Sequence, residues 1–294
     1  MKLFLNSTLF LCPLFVGLSS GLAQQQPAPA PSSQGPGGQQ TTQPPPLPPK
    51  VPEVLRQDEG DASLDGLAWL PVGQPKFNKG QATTSTVASN ATLQGRAKLA
   101  WGGNLRIPAG AHSAFRLSYF DTHATGNFIA GTDLTLWSSG YNAGDYISTT
   151  YRLRSFGLSY DFLTWPYPAR NRRFRLKTLW QFQYASVKST FDAPLSANPP
   201  SPGMGSRSIY LPGLGLGVTE YLSNNFRVEA LGSGFAIPGH AGLANGEADI
   251  AYKFGRLELR VGGKIFYFKS SPQADFYMKG LLAGGFAGLR FYMH

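Results

Sequence analysis

The last twenty residues of the chain, 275–294, alternate between two kinds of side chain at every second position. One set reads Leu281, Ala283, Gly285, Ala287, Leu289, Phe291 and Met293, and the other reads Leu282, Gly284, Phe286, Gly288 and Arg290. Because successive side chains of a β-strand point to opposite faces, a period of two predicts a strand. The segment therefore predicts a long strand with one apolar face and one smaller face that carries a charge near its end.

The same alternation recurs from residue 92 onward, between turn sequences rich in Gly, Pro, Asn and Ser. It predicts ten antiparallel strands, near residues 92–107, 113–120, 132–138, 146–165, 173–189, 208–221, 226–237, 246–254, 256–269 and 275–294. Most of them reach the about 9–11 residues that a tilted transmembrane strand requires. Eight strands, without the first two in the wall, and twelve, with residues 64–70 recruited to it, are the alternative counts.

One of these strands, 146–165, changes the parity of its apolar residues. They occupy odd positions up to Leu153 and even positions from Phe156 onward. A slip of one residue exchanges the two faces of a strand, and an extra residue in one strand is a β-bulge. The change therefore predicts a bulge near Arg154 and Ser155.

The composition favours strands whose outer faces meet lipid. Charged residues make up only 14% of the chain, whereas aromatic residues make up 13% and glycine occurs 35 times. The formal net charge is +10, but the Lys and Arg residues are spread through alternating strands and form no basic run along a helix. This distribution argues against binding to nucleic acid.

The first part of the chain predicts export. Residues 1–23 have the form of a secretory signal peptide, with Lys2 before an apolar run and a small-x-small cleavage site at 21–23. The apolar run is shorter than the about 20 residues of a spanning helix. Cys12, the only cysteine, lies inside this run after Leu11, which is unsuitable for a lipoprotein site, so cleavage would leave a chain without cysteine.

Two further segments precede the predicted barrel domain, 92–294. Residues 24–56 are a linker rich in Pro and Gln that cannot bury a core and is expected to be disordered. It is interpreted as a tether, with contact to the cell wall or a periplasmic partner as the alternative. Residues 57–91 are a transitional segment, expected at the barrel entrance or inside it. Since no stretch of the chain approaches 18 apolar residues, a membrane location requires a closed barrel.

The strand pattern together with the Gly-rich, aromatic final strand resembles the β-barrel proteins of the outer membrane of Gram-negative bacteria. The strand differs from that family in its last residue, because His294 follows Phe291 and Met293 where such strands usually end on Phe or Trp. The resemblance implies an antiparallel up-and-down transmembrane β-barrel in the outer membrane. It also implies that the final strand is recognised by the barrel-assembly machinery, but it brings no functional residues with it.

Charged residues at alternate strand positions are the main candidate site. Those expected to face the lumen are Arg116, Arg152, Arg175, Lys177, Glu229, Glu247, Asp249, Glu258, Arg260 and Lys264. They would form either an ion-paired plug, since a narrow barrel has room only for side chains, or a small pore with a weak preference for anions. Basic residues at the outer rim could also bind the phosphates of lipopolysaccharide.

The sequence offers one weak candidate for catalysis. His240 lies in a predicted outer loop, with Ser233, Glu247 and Asp249 on adjoining strands. Such residues fall near each other by chance, and His123 beside Asp121 is interpreted as part of a polar turn.

The spacing of the histidines indicates no metal site, and the sequence indicates no cofactor. Three functions are therefore considered: a non-enzymatic outer-membrane barrel, an outer-membrane enzyme acting on lipid or peptide, and a soluble exported barrel that binds an apolar ligand.

Overall fold

The computed structural model describes residues 61–79, 90–92, 98–166, 173–272 and 276–293. Its strands are β1 (Ala62–Val72), β2 (Lys76–Lys79), β3 (Asn90–Thr92), β4 (Ala100–Pro108), β5 (Ser113–Ile129), β6 (Leu134–Leu136), β7 (Ser139–Tyr141), β8 (Tyr146–Trp165), β9 (Phe174–Asp192), β10 (Gly203–Tyr221), β11 (Phe226–Ala236), β12 (Gly242–Phe254), β13 (Leu257–Lys269) and β14 (Phe276–Met293). The expected signal peptide, 1–23, and linker, 24–56, lie outside the described residues.

Ten strands form the wall of a closed antiparallel barrel: β1, β4, β5 and β8 to β14. The wall closes where β1 pairs with β14, in a register that runs from Ala62 opposite Met293 to Val72 opposite Ala283. The predicted all-β barrel of ten strands is therefore confirmed. The strands β2 and β3 extend the sheet beyond β14, toward the end of the barrel that carries the longer loops.

One segment predicted outside the wall and one of the ten predicted strands are assigned differently in the structure. Ala62–Val72 is a full wall strand, so the barrel begins at residue 62 rather than 92 and this part of the 57–91 segment is neither an entrance element nor a plug. Residues 132–138, expected in the wall, instead contribute β6 to a separate two-stranded hairpin with β7. Each strand of this hairpin has only three residues, too few to cross a membrane.

The predicted bulge near Arg154 is wrong. The pairing of β8 with β9 continues without interruption through Arg154 and Ser155, and the register shifts only between Leu163 and Trp165. Odd-numbered side chains of β8 point inward along the whole strand. What changes is the chemistry of the two faces, because Tyr151 and Leu153 point inward whereas Phe156 and Leu158 point outward.

This exchange of faces occurs at one height around the barrel and divides it into two tiers. In the lower tier, exposed apolar side chains cover the outside, including Phe115, Leu216 and Ile250, while polar and charged side chains fill the inside. In the upper tier the inside is apolar and the outside polar. A closed wall with an apolar exterior belt and a polar interior faces lipid. The alternative of a soluble exported barrel is therefore wrong.

Aromatic residues mark the upper boundary of the belt. Tyr119, Tyr184, Tyr210 and Tyr267 are the last large outward-facing residues before Asp121, Ser186, Ser208 and Lys269. Such girdles are typical of membrane interfaces, where one end of the side chain is apolar and the other is hydrated. No helix in the described ranges is long and apolar enough to span a membrane.

The two ends of the barrel differ in the length of their connections. The short turns 222–225 and 255–256 lie at the end that also holds the first residue of β1 and the last residue of β14. The longer connections 130–145 and 193–202 lie at the other end. Long outer loops and short inner turns are the usual arrangement in outer-membrane barrels, and this favours the upper tier as the outer one.

Candidate functional site

A network of buried ion pairs fills the lower tier, and Arg260 of β13 lies at its centre. Its guanidinium contacts three carboxylates, at 2.9 Å from Asp65, 2.6 Å from Glu247 and 2.5 Å from Asp249. Glu247 also accepts a bond of 3.2 Å from Lys264. These residues stand at inward positions of β1, β12 and β13, so the network links strands on both sides of the closing strand β14.

A second group continues the network across β14. Arg290 bonds to both oxygens of Asp65, at 2.6 and 2.7 Å, and lies 3.4 Å from Glu258. Glu258 also accepts bonds from Arg227, at 2.7 Å, and from the hydroxyl of Tyr292, at 3.0 Å. Because a buried charge is costly unless it is paired and hydrogen-bonded, this dense pairing is what permits so many ions inside the wall.

Nine of the ten predicted lumen charges lie on the inner face of the barrel. They are Arg116, Arg175, Lys177, Glu229, Glu247, Asp249, Glu258, Arg260 and Lys264. The tenth, Arg152, points outward, with its side chain 50% exposed and paired with Asp121. It lies on β8 above the exchange of faces, where the outer side is polar, so the prediction for Arg152 is wrong. Arg116 pairs with Asp161 at 3.2 Å, in a smaller group at the side of the network.

Several members of the network are not among the predicted lumen charges, notably Asp65, Arg227 and Arg290. Asp65 lies in β1, a segment that the sequence pattern does not assign to the wall. The signal for Arg290 was present, because it lies on the smaller face of the final strand together with the inward-facing Phe286. Which carboxylate it contacts depends on the closure of the barrel and cannot be read from local sequence.

Aromatic side chains fill the upper tier. The ring of Trp69 packs edge-on against Phe120 at a centroid distance of 5.4 Å, and Phe120 packs in the same way on Phe266 at 4.9 Å. Higher up, Phe77 of β2 contacts Phe191 at 5.6 Å. Four of these rings come from the wall strands β1, β5, β9 and β13 and one comes from β2, so they pack against one another across the interior of the upper tier.

The β6–β7 hairpin adds to this packing. The hydroxyl of Tyr141 donates to the carbonyl of Phe191 at 2.9 Å and accepts from the amide of Gly203 at 3.0 Å. The indole of Trp137 donates to the hydroxyl of Ser189 at 3.1 Å. Trp137 has a φ of 57°, a conformation that is uncommon for a bulky residue and persists only where surrounding contacts enforce it. The hairpin is therefore held in a defined position against β9 and β10.

A small polar cavity lies inside the wall, next to the ion pairs. It is lined by Asn104, Gln181, Ser233, Glu247 and Lys264, among others, and its volume is about 20 Å³. A cavity needs roughly 10–15 Å³ to hold one water molecule. The cavity therefore has room for little more than a single water and does not form a channel.

The structure does not bring the possible catalytic residues together. His240 is exposed in the outer turn beyond the end of β11, whereas Ser233 lies inside the barrel and donates a hydrogen bond of 2.5 Å to Gln181. Glu247 and Asp249 are both held by Arg260. Likewise His123 and Asp121 are not in a turn, because β5 continues to Ile129 and both side chains lie on its outer side.

Charged side chains also gather outside the barrel, just above the aromatic boundary. Asp121 pairs with Arg152 and, at 3.3 Å, with Arg154. Partial burial raises the pKa of Asp121, but the hydrogen bonds and charges of the two arginines outweigh this and hold its pKa below the usual value. On the opposite part of the wall, Lys269, Lys279 and Lys76 stand directly opposite one another on β13, β14 and β2.

Comparisons with known proteins agree with this architecture. A scan against protein-family models finds no match, and neither does a search of the curated proteins. Among solved structures, the outer membrane protease OmpT from Escherichia coli is similar, at 11% sequence identity and a TM-score of 0.57, over 82% of this chain and 99% of that one. The translocator domain of the autotransporter NalP from Neisseria meningitidis aligns over 79% of this chain and 88% of its own, at 11% identity and a TM-score of 0.42.

At this level of identity the likeness to OmpT concerns the fold alone. It adds to three observations on the chain itself: a closed antiparallel wall of ten strands, an apolar exterior belt and aromatic residues at its boundary. By its fold, the chain is a β-barrel of the bacterial outer membrane.

Proposed function

We propose that this protein is a non-enzymatic, structural outer-membrane barrel that does not conduct solutes and is anchored in the outer leaflet by lipopolysaccharide. The observation that carries the proposal is the filled interior. The ion pairs around Arg260 occupy the lower tier, and the rings around Phe120 occupy the upper tier. Two closed layers in series favour a plugged barrel over the weakly anion-preferring pore.

The state of the inner charges supports the same conclusion. In an anion-preferring pore, basic side chains would face a watery lumen. Here Lys177 and Lys264 are about 5% exposed, and each lies within 4.0 Å of a carboxylate. Charges paired in this way hold the strands together and attract few mobile ions. The separation of His240 from Ser233 also favours a role without catalysis.

Planar-bilayer recording tests the closed lumen. We expect the refolded mature protein to insert without unitary current steps, because the cavity beside the ion pairs holds about one water molecule. An open porin recorded in the same bilayer serves as the positive control, and a gel shift on heating shows that the protein is folded. Regular steps with an anion-leaning reversal potential would contradict the proposal and favour the pore.

The anchoring part of the proposal rests on the row of Lys269, Lys279 and Lys76 outside the barrel. Three basic residues at neighbouring positions of adjacent strands concentrate positive charge there. The row lies immediately above the belt, at the level of the outer headgroups, since Tyr267 and Leu281 are the last large apolar residues below it. A phosphate beside these ammonium groups would gain charge-assisted hydrogen bonds.

Neutralising this row should weaken the binding of lipopolysaccharide. We expect the triple variant K76Q/K269Q/K279Q to bind lipopolysaccharide at least about tenfold more weakly, which corresponds to about 1.4 kcal/mol. The measurement is binding of the refolded protein to lipopolysaccharide at low salt, repeated with dephosphorylated lipid. The variant R173Q/R256Q, which removes exposed charges at the opposite end of the barrel, is the control. Equal weakening in both variants would rule out a specific role for the lysine row.

A further inference from the structure

The wall of the barrel has a gap beside β10. This strand pairs with β9 along most of its length, from Gly203 opposite Phe191 to Glu220 opposite Phe174. Its pairing with β11 begins only at Leu214 and runs to Tyr221. Within the described ranges, residues 203–213 therefore have no partner strand on the side of β11.

Local sequence explains why the gap stays open. Pro212 lacks an amide hydrogen and cannot donate to a neighbouring strand, and for this reason prolines in sheets occur at edges. Above Gly234, β11 remains paired with β12, up to Ala236 opposite Gly242, and the chain then reverses through 237–241. The upper part of β10 therefore extends beyond the β11–β12 hairpin, and its edge on that side is not covered.

An apolar groove of about 490 Å³ opens on the lipid side where this gap begins. Its lining includes Leu158, Trp180, Phe182, Pro212, Leu214 and Phe235. Trp180 is 61% exposed, and the alternation of β11 would direct Phe235 inward, yet its side chain is 43% exposed and lies in the groove. The side chain of Phe235 thus lies in the gap and faces the bilayer.

The groove lies close to the polar cavity inside the barrel. Gln181 and Gly213, which pair with each other and occupy inward-facing positions of their strands, also line the groove. Gln181 lines the small polar cavity as well, where it accepts the hydrogen bond from Ser233. Only this part of the wall separates the groove from the cavity.

The upper part of the same edge is polar. A pocket of about 220 Å³ lies between residues 207–211 of β10 and the outer ends of the neighbouring hairpins, and its lining includes Arg207, Ser208, Ser270 and Ser271. The guanidinium of Arg207 stacks on Trp137 at 4.7 Å from the ring centroid. An apolar groove at bilayer depth lies next to a polar, cationic pocket at headgroup height, and this order matches the two ends of an anionic lipid.

We propose that the edge of β10 binds one lipid of the surrounding outer leaflet, with an acyl chain in the groove between Trp180 and Phe235 and its anionic headgroup beside Arg207. The bilayer is the source because the groove opens onto the lipid-facing belt. The bound chain covers the apolar lining and closes the lateral gap. Binding of this kind is independent of whether the lumen conducts, so its test is separate from the conductance recording.

Quenching of tryptophan fluorescence by a bromine-labelled lipid tests the site. Two variants keep a single tryptophan outside the protein interior, with the other exposed tryptophans changed to phenylalanine. The one that remains is Trp180 in the groove or Trp101 at the upper boundary of the belt, away from the groove. The probe is phosphatidylglycerol brominated on one acyl chain, added to the folded full-length mature protein in detergent. We expect saturable quenching of Trp180 at probe concentrations at least about tenfold below those that quench Trp101.

A blocking variant provides the second measurement. Pro212 lies at an exposed, outward-facing position and lines the groove, so Pro212→Phe places a ring in the groove from the lipid side. We expect it to abolish the saturable phase at Trp180, whereas Gly285→Leu, on the outer face of β14, leaves it unchanged. Equal, non-saturable quenching of Trp180 and Trp101 would overturn the proposal. Saturation by brominated palmitate but not by the phospholipid would overturn the assignment to a bilayer lipid.

Discussion

Replacing Gly284 with valine should prevent the barrel from closing. Gly284 faces inward on β14, and a Cβ atom there would lie 1.9 Å from the carbonyl oxygen of Leu70 on β1. The clash is with backbone at the seam that joins the two ends of the wall, so no side chain can rotate away from it. Overpacking costs about 1–3 kcal/mol and sometimes more. We therefore expect the folded yield of Gly284→Val to fall at least about tenfold in refolding into lipid, measured as the heat-modifiable band on a gel.

The neighbouring residue provides a matched control. Gly285 lies on the outer face of the same strand, and a Cβ atom there would come no closer than 3.8 Å to another atom. Gly285→Val makes the same chemical change one position away and adds an apolar group to the lipid-facing belt, so it should refold like the parent. Equal yields for the two variants would show that the seam is wider than the structure indicates.

Removing Arg260 should cause the largest loss of stability among the charged residues. Arg260→Met retains most of the side-chain volume but leaves Asp65, Glu247 and Asp249 without their shared partner. Breaking a buried ion pair by removing one member costs about 3–5 kcal/mol, because the remaining charge stays desolvated. We expect the midpoint of denaturant unfolding in lipid vesicles to fall accordingly.

Two variants distinguish the loss of this network from a general effect of losing an arginine. Arg152→Met removes an exposed arginine from its pair with Asp121, where solvent screens the interaction, so it should change the midpoint little. Arg260→Lys keeps the charge but not the planar fork that contacts several carboxylates. Its unfolding midpoint should lie between those of the parent and of Arg260→Met. If Arg260→Met unfolds at the same midpoint as Arg152→Met, the network does not stabilise the barrel.

Both predictions concern the part of the wall around β14, which pairs with β1 on one side and with β13, the strand of Arg260, on the other. Gly284 permits the close approach of β1, and Arg290 joins Asp65 of β1 to Glu258 of β13. The final strand therefore links the ends of the chain by backbone pairing and by ion pairs. This is consistent with the expectation that the strand takes part in assembly, which stays a prediction.

The alternation of residues was sufficient to predict the fold class, most of the wall strands and their number. It failed for 62–72 and 132–138 because both are apolar segments next to polar sequence. Local pattern does not distinguish a wall strand from a hairpin packed inside. The choice is made by long-range pairing: residues 62–72 lie between β14 and β4, whereas 134–141 are buried under neighbouring strands.

Sequence by itself determined that this chain forms long antiparallel strands with one apolar and one polar face, since that follows from the period of two. It could not determine which face points inward at a given height. Arg152 and Arg175 have the same alternating surroundings. Yet Arg152 points outward above the belt, whereas Arg175 points inward and is buried in the lower tier. Only the closed barrel, by placing lipid around its lower tier and a packed core inside its upper tier, decided which charges became internal ion pairs.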